Sequence, residues 1–244
     1  MTDKLLNIAL LCGRKGSESL KNKNHTSVLG RPLMVYPLLA AQAATQIDEI
    51  YLSTDSEEMK QIGRNHGIGI IDRPAELATA TSQHVDTLIH SLELLRDLGK
   101  KVNYLIVVMC NVGIFREGII DECIGRLDED LAADSCVTGH IDNDLHPYRV
   151  KRMGIDGSLQ TWLPLDDIEV STNRQDLPPC YVLDHSIWVL RVANCFPPRG
   201  QKPWKFMGNR ILFVDNPGCR DVHSQEDIDY TEQFLNQAGW MPSL

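Results

Sequence analysis

Two short, unbroken apolar runs constrain the fold more than any other feature of the chain. They are Ile8-Ala9-Leu10-Leu11-Cys12, which ends at Gly13, and the stretch from Tyr104 to Cys110. A strand with one wet face alternates apolar and polar residues, so a continuous run marks a strand buried on both faces. Such strands belong to sheets sandwiched between helices, and the residues between the two runs supply that alternation. Pro32 suits the first turn of a helix over Leu33 to Ala44. Glu49 to Thr54 reads as a strand, and Asp55 with Glu58 as the capping box of a helix that Gly67 stops. Ile68 to Ile71 is a short strand. Val85, Leu88, Ile89, Leu92 and Leu95 mark one helix face, and Gly118 to Leu127 forms another helix. The pattern predicts an α/β fold with a mainly parallel sheet covered on both sides.

After Ala133 the rhythm changes. Ser135 to Thr138 reads as a strand, and His146 to Trp162 as a hairpin turning at Asp156-Gly157. A strand-like Ile187 to Leu190 follows, and Ser224 with Asp227 caps a final helix carrying Ile228, Phe234 and Leu235 on its inner side. A single domain over 1–244 is expected, with an accessory β element inserted at about 142–182. Seven scattered cysteines, an odd number without a Cys-x-x-Cys pair, argue against a disulfide framework or a structural zinc site. No apolar run is long enough to span a bilayer, and the first residues lack a secretory layout, so a cytoplasmic protein is expected. The net charge of −9 argues against nucleic-acid binding. Basic residues nevertheless concentrate at Arg14 to Lys23 and Arg149 to Arg152, which suits small anionic ligands.

Ligands of open α/β sheets gather beyond the carboxyl ends of the strands. The first such loop is Gly13-Arg14-Lys15-Gly16-Ser17-Glu18-Ser19-Leu20-Lys21-Asn22-Lys23-Asn24. Its glycines free the backbone to turn and present N–H groups to an anion, and four cations surround them. It is neither a Walker loop nor Gly-x-Gly-x-x-Gly. Further along, Asp221 precedes a helix that Ser224 already caps, which leaves its carboxylate available.

The loop resembles the Ala-Arg-Gly-Gly-Ser-Lys-Gly-Ile-Pro-x-Lys-Asn signature of the acylneuraminate (sialic acid) cytidylyltransferases. Leu29-Gly30-Arg31-Pro32-Leu33, Ser53-Thr54-Asp55 and Asp72-Arg73-Pro74-Ala75-Glu76-Leu77-Ala78-Thr79 are similar to that family's "GKPL", "STD" and "RPAELA" segments. His146-Pro147-Tyr148-Arg149, Asn173 to Pro179 and Asp221-Val222-His223-Ser224 follow its "HP", "RQDLP" and "DIDT" in the same order. The resemblance implies a three-layer α/β/α fold of the nucleotide-diphospho-sugar transferase type, with a small β element that pairs two subunits into a homodimer. It implies CTP and a small acidic sugar as substrates, with transfer of CMP and release of pyrophosphate. Arg14, Ser17, Lys23, Asn24 and Arg73 would bind the nucleotide, with Arg14, Lys23 and Asp221 in catalysis. Mg²⁺ would be held by Asp221 and His223. Asn111, Arg149, Lys151, Arg174 and Gln175 would face the acid, where an arginine fork matches a carboxylate.

The chain departs from the family inside the site. Glu18 stands where the family carries a lysine, and Met109-Cys110-Asn111-Val112-Gly113 where it has Leu-Gln-Pro-Thr-Ser. Ala80 replaces the aspartate of "ATDT", His223 the second aspartate of "DID", and Asp184-His185 the usual Asn-Gly. Two further readings therefore stay open: a cytidylyltransferase for another acidic acceptor such as a phosphonate, and a nucleotide-binding homologue without turnover. Cys110 reads as a core residue, Trp188 and Trp204 as core or interface aromatics, and His84 as a surface or packing residue.

Overall fold

A computed structural model describes residues 4–16, 20 and 22–238. Its centre is a seven-stranded sheet built from β1 (Leu6–Cys12), β4 (Glu49–Thr54), β5 (Gly69–Asp72), β6 (Val102–Met109), β7 (Ser135–Ile141), β10 (Tyr181–Arg191) and β11 (Ile211–Asp215). Their order is β11-β7-β10-β6-β1-β4-β5. β1 pairs in parallel with β4 and β6, β4 with β5, and β7 with β11, whereas β10 runs antiparallel to both β6 and β7. The expected mainly parallel, mixed sheet is thus present. β11, an Ile-Leu-Phe-Val-Asp segment, adds an edge strand that the sequence pattern had not marked.

The continuous runs are buried on both faces for the reason anticipated. Ala9 and Leu11 of β1 join one cluster with Met34, Leu38 and Ala41, Met59, and Ile120, Cys123, Ile124 and Leu127. These come from or adjoin helices α1 (Val35–Ala43), α2 (Glu57–Asn65) and α4 (Ile119–Glu129). Ile8 and Leu10 point the other way, into a cluster with Leu88 and Leu95 of α3 (His84–Asp97) and Cys195 of α5 (Val192–Cys195). Successive side chains on a strand face opposite sides, so one apolar run serves two cores. A third cluster joins Tyr36 of α1 to Ile228 and Leu235 of α6 (Gln225–Ala238). The layers are α/β/α.

Two local expectations are corrected. Pro32 does not open α1; with Arg31 it forms β3 (Arg31–Pro32), which pairs with β2 (Ser27–Val28). Leu29 (φ 46°) and Gly30 (φ 81°) make the turn between them, as a tight hairpin with both central residues at positive φ requires. The helix therefore begins at Val35. The cap of α2 is Ser56, whose Oγ accepts the Met59 N–H at 3.3 Å while its hydroxyl donates to Glu58 at 2.7 Å. Asp55 instead accepts the Lys15 N–H at 2.7 Å and so pins the first loop. At α6 the anticipated box is realised: Ser224 Oγ accepts the Asp227 N–H and Asp227 accepts the Ser224 N–H.

Between β7 and β10 the chain leaves the sheet and returns. This excursion carries the hairpin of β8 (Lys151–Met153) and β9 (Leu159–Thr161), with Gly157 at φ 79° in its turn. It is closed at its base, where the Asp142 N–H donates to the Cys180 carbonyl at 2.9 Å and the Cys180 N–H donates to Asn143 Oδ1 at 2.9 Å. Met153, Ile155, Leu159, Trp162 and Ile168 on it are exposed. All seven cysteines are unpaired. Among the described residues no helix is long and apolar enough to cross a membrane.

Candidate active site

A cleft of about 400 Å³ opens at the carboxyl ends of β1 and β6, within the size range of small-molecule sites. Its floor depends on Gly13. A Cβ there would lie 2.4 Å from Met59 Cε and 2.9 Å from Cys110 Cβ, so only glycine lets the first loop cross so close to α2 and the end of β6. Cys12 also lines the cleft, but burial pushes its thiol up to about 11, so it is a packing group rather than a nucleophile.

Three cations and one amide from the first half of the chain line one side. Arg14 donates to the Gly16 carbonyl at 2.9 Å, and its backbone carbonyl accepts from Asn24 Nδ2 at 3.2 Å. The Oδ1 of the buried Asn24 has no partner. Arg73 donates to the Ser53 carbonyl at 2.8 Å and to Ser53 Oγ at 3.3 Å, which anchors it over the end of β4. Lys23 Nζ donates to the Val222 carbonyl at 3.1 Å. Its burial, with Arg14 nearby, lowers its pKa, against the opposing pull of Asp221 and Asp227.

Asp221 enters from the far half of the chain. Its backbone bridges Val112, and the Val222 N–H donates to the Asn111 carbonyl at 2.9 Å, so the segment is tied to the end of β6. Burial raises the pKa of its carboxyl, opposed by His185, His223 and Lys23. Its Oδ1 is buried without a partner, and His223 Nε2 stands 3.7 Å from Oδ2. A buried, unpartnered carboxylate oxygen facing cations and an open cleft fits one ligand position of a hard divalent ion. Among the described residues there is no group of three potential ligands, so the remaining ligands would be phosphate oxygens and water.

Another part of the lining is aromatic. His84 meets Trp188 edge-on with ring centroids 5.4 Å apart, His185 meets Trp188 at 5.8 Å and Trp204 at 4.9 Å, and Phe206 backs Trp188 at 5.3 Å. His185 occupies the left-handed region at φ 56°, where the pairing of β10 with β7 shifts register. A non-glycine residue there carries a strain of about 1 kcal/mol or more. The strain is held by Asp184, which is buried and accepts from Thr138 Oγ1 at 2.6 Å, the Ser186 N–H and Oγ at 2.8 Å each, and Asn216 Nδ2 at 2.8 Å.

Of the residues anticipated for the site, Arg14, Lys23, Asn24, Arg73, Asn111, Asp221 and His223 line this cleft. Ser17 lies outside the described residues, as do Glu18 and Lys21. Arg149, Lys151, Arg174 and Gln175 do not line it. They stand on the excursion, where Asp144 pairs with Arg174 at 2.8 Å and Arg149 at 3.5 Å. The excursion leaves the sheet beyond β7, so within one chain Arg149 and Arg174 are paired with a local carboxylate. The sequence reading missed the wall of His84, His185, Trp188 and Trp204. Its one available signal was Asp184-His185 in place of Asn-Gly, a large residue where the backbone favours glycine.

Cations and one partly buried carboxylate thus meet at the carboxyl ends of the central strands of an α/β/α sandwich with one reversed strand, and the fold is of the nucleotide-diphospho-sugar transferase type. The known structure of CMP:2-keto-3-deoxy-manno-octonic acid synthetase complexed with CTP superposes on it with a TM-score of 0.67 at 15% identity, covering 96% of this chain and 99% of that one. A family profile described as Cytidylyltransferase matches residues 8–94. The N-acylneuraminate cytidylyltransferase of Escherichia coli O18:K1:H7 is 32% identical over 90 residues, which span 37% of this chain and 22% of that protein. The CMP-N,N'-diacetyllegionaminic acid synthase of Legionella pneumophila is 33% identical over 86 residues, 35% of this chain and 37% of that enzyme. Post-translational flagellin modification protein B of Campylobacter coli is 30% identical over 236 residues, covering 94% of this chain and 95% of its own. The chain belongs to the acylneuraminate cytidylyltransferase family.

Proposed function

We propose that the protein transfers CMP from CTP to a sialic-acid-like sugar acid, a nonulosonic or related 2-keto-3-deoxy acid, and releases pyrophosphate. The observation that carries this reading is the cleft that, among the described residues, sets Arg14, Lys23 and Arg73 with one carboxylate, that of Asp221. The anomeric hydroxyl of the acid attacks the α-phosphorus of CTP in line. A new O–P bond forms, the bond to the β-phosphate oxygen breaks, pyrophosphate leaves with its electron pair, and the hydroxyl proton passes to solvent. Arg14 and Lys23 hold the triphosphate and offset the charge that grows on the leaving group, so the chain's contribution is positioning and electrostatic stabilisation. Ser17, three residues after Arg14 in the sequence, is proposed to bind the nucleotide with them. Arg73 and Asn24 fix the nucleoside end, and Asn111 faces the acid. Asp221, with His223 beside it, would hold Mg²⁺, which supplies charge neutralisation on the phosphates when bound.

Pyrophosphate release with CTP, Mg²⁺ and a panel of nonulosonic acids tests the reaction. Calorimetry is expected to show CTP bound at least ten-fold more tightly than ATP, GTP or UTP, a difference of about 1.4 kcal/mol. Equal affinities would remove the nucleotide assignment.

The protein is proposed to work in the cytoplasm as a homodimer. The excursion supports the pairing, because Met153, Ile155, Leu159 and Trp162 expose large apolar surface on one short hairpin. Replacing Ile155 and Trp162 together by aspartate is expected to turn a dimer into a monomer in sedimentation without lowering solubility. A wild-type monomer at micromolar concentration would exclude the pairing. In a dimer Arg149, Lys151, Arg174 and Gln175 would be carried on the pairing arm, and an acid-binding role for them would require that the arm reach a cleft.

A further inference from the structure

A carboxylate that does not line the cleft grips the segment carrying Asp221 from both sides. Asp227 lies in the first turn of α6, and its side chain is only 18% exposed. Its Oδ2 accepts the His223 N–H at 3.0 Å, and the Ser224 N–H and hydroxyl at 2.9 Å each. Its Oδ1 stands 3.6 Å from the Arg220 guanidinium, which itself lies over the Tyr230 ring, 3.5 Å from the centroid. Asp227 and Tyr230 are three positions apart on α6 and so share one face of it.

Helix capping alone asks for less. In a capping box the N-cap side chain accepts an N–H from the third helical residue, whose side chain accepts the N–H of the N-cap in return. Ser224 and Asp227 complete that exchange at 3.3 and 2.9 Å. The bond from the His223 N–H and the pairing with Arg220 fall outside the box, and their donors flank Asp221 in the chain. α6 is a firm support for this grip. Ile228 and Leu235 pack in the cluster with Tyr36 of α1, and Glu232 accepts the Leu29 N–H at 2.8 Å. The other hold on the segment comes from β6, through the bridge to Val112 and the Val222 N–H bond to Asn111. A short segment held on one side pivots about that side; held from two, it presents its side chain in one direction.

We propose that Asp227 is a positioning residue for the reaction, one that fixes the Asp221 carboxylate in the cleft by holding the residues before and after it. The inference deepens the cytidylyltransferase reading and rests on it for its kinetic consequence, while the placement of Asp221 is tested without turnover.

Three variants of the full chain separate positioning from capping. Asp227→Ala removes every contact of the carboxylate. Ser224→Ala weakens the same cap but leaves the His223 N–H and Arg220 contacts in place. Asp227→Asn keeps an acceptor oxygen. In crystal structures without ligands, Asp227→Ala is expected to shift the Asp221 carboxylate by about 1 Å or more with α6 intact, and Ser224→Ala to leave it in place. Both alanine variants are expected to melt a few degrees below wild type. With CTP, Mg²⁺ and a sugar acid that the wild type turns over, Asp227→Ala is expected to lower kcat about a hundred-fold with the CTP KM changed less than about three-fold. Ser224→Ala is expected to keep kcat within about three-fold, and Asp227→Asn to fall between the two. An Asp221 carboxylate that stays in its wild-type place in Asp227→Ala overturns the inference, as does an equal loss of kcat in the two alanine variants. If Asp227→Ala does not fold, Asp227→Asn carries the same comparison against Ser224→Ala. A wild type that releases no pyrophosphate overturns the proposed reaction, and the crystal structures still decide the placement of Asp221.

Discussion

Asp221→Asn is expected to lower pyrophosphate release by roughly a thousand-fold or more while the melting temperature stays within about two degrees of wild type. The two halves of this expectation have separate physical grounds. Among the described residues the carboxylate is the one anion lining the cleft with Arg14, Lys23 and Arg73, and its Oδ1 has no hydrogen-bond partner among them. An amide keeps its shape and removes its charge, so whatever positive group it holds in the working enzyme is released. Stability depends on other atoms of the same segment, chiefly the backbone bridge to Val112 and the Val222 N–H bond to Asn111, which the substitution leaves alone. His223→Ala is expected to cost less, because the imidazole stands at 3.7 Å and is mostly exposed. Full CTP-dependent turnover in Asp221→Asn would return the phosphates to Arg14, Lys23 and Arg73 alone.

Asp184→Ala produces the opposite profile, a large loss of stability. The buried carboxylate satisfies Thr138, Ser186 and Asn216 at once. Truncation leaves several buried donors without acceptors, a loss of about 3–5 kcal/mol. For a chain of this size that lowers the melting temperature by roughly ten degrees. Asp184→Asn retains the acceptor for Thr138 and Ser186 but turns an amide donor toward Asn216, so its cost is intermediate. Chemical denaturation ranks the three proteins. A loss below about 1 kcal/mol in Asp184→Ala would show that the network does not lock β10 at His185.

The cationic side of the cleft was largely legible in the sequence because its residues are local. Arg14, Lys23 and Asn24 share one loop, and Arg73 opens the loop after the next strand but one, so strand ends and glycines suffice to bring them together. Asp221 was legible by a different route, since Ser224 accounts for the nearby cap. The aromatic wall was not. His84, His185, Trp188 and Trp204 come from three separate parts of the chain, and they meet only because β10 runs backward between β6 and β7. Periodicity reports that Trp188 is buried; it does not report that one edge of the ring borders a cleft. The charges of Arg149 and Arg174 were visible, but charge does not reveal that Asp144 is their neighbour in space. The α1 boundary failed for a similar reason. Pro32 is compatible with a first helical turn and equally with a two-residue ladder, and the positive-φ pair Leu29-Gly30 decides in favour of the ladder.

The closed base of the excursion between β7 and β10 bears on how proteins built this way diversify. Because Asp142, Asn143 and Cys180 clasp its two ends, the sheet meets the same stem whatever lies beyond it. The entropy of closing a longer or shorter loop on a fixed stem changes only slowly with length. The arm can therefore be shortened, extended or exchanged between relatives at little cost to the sheet. The exposed apolar face of the arm is thus free to drift on its own schedule, changing what the surface presents long before it disturbs the sheet that builds the cleft.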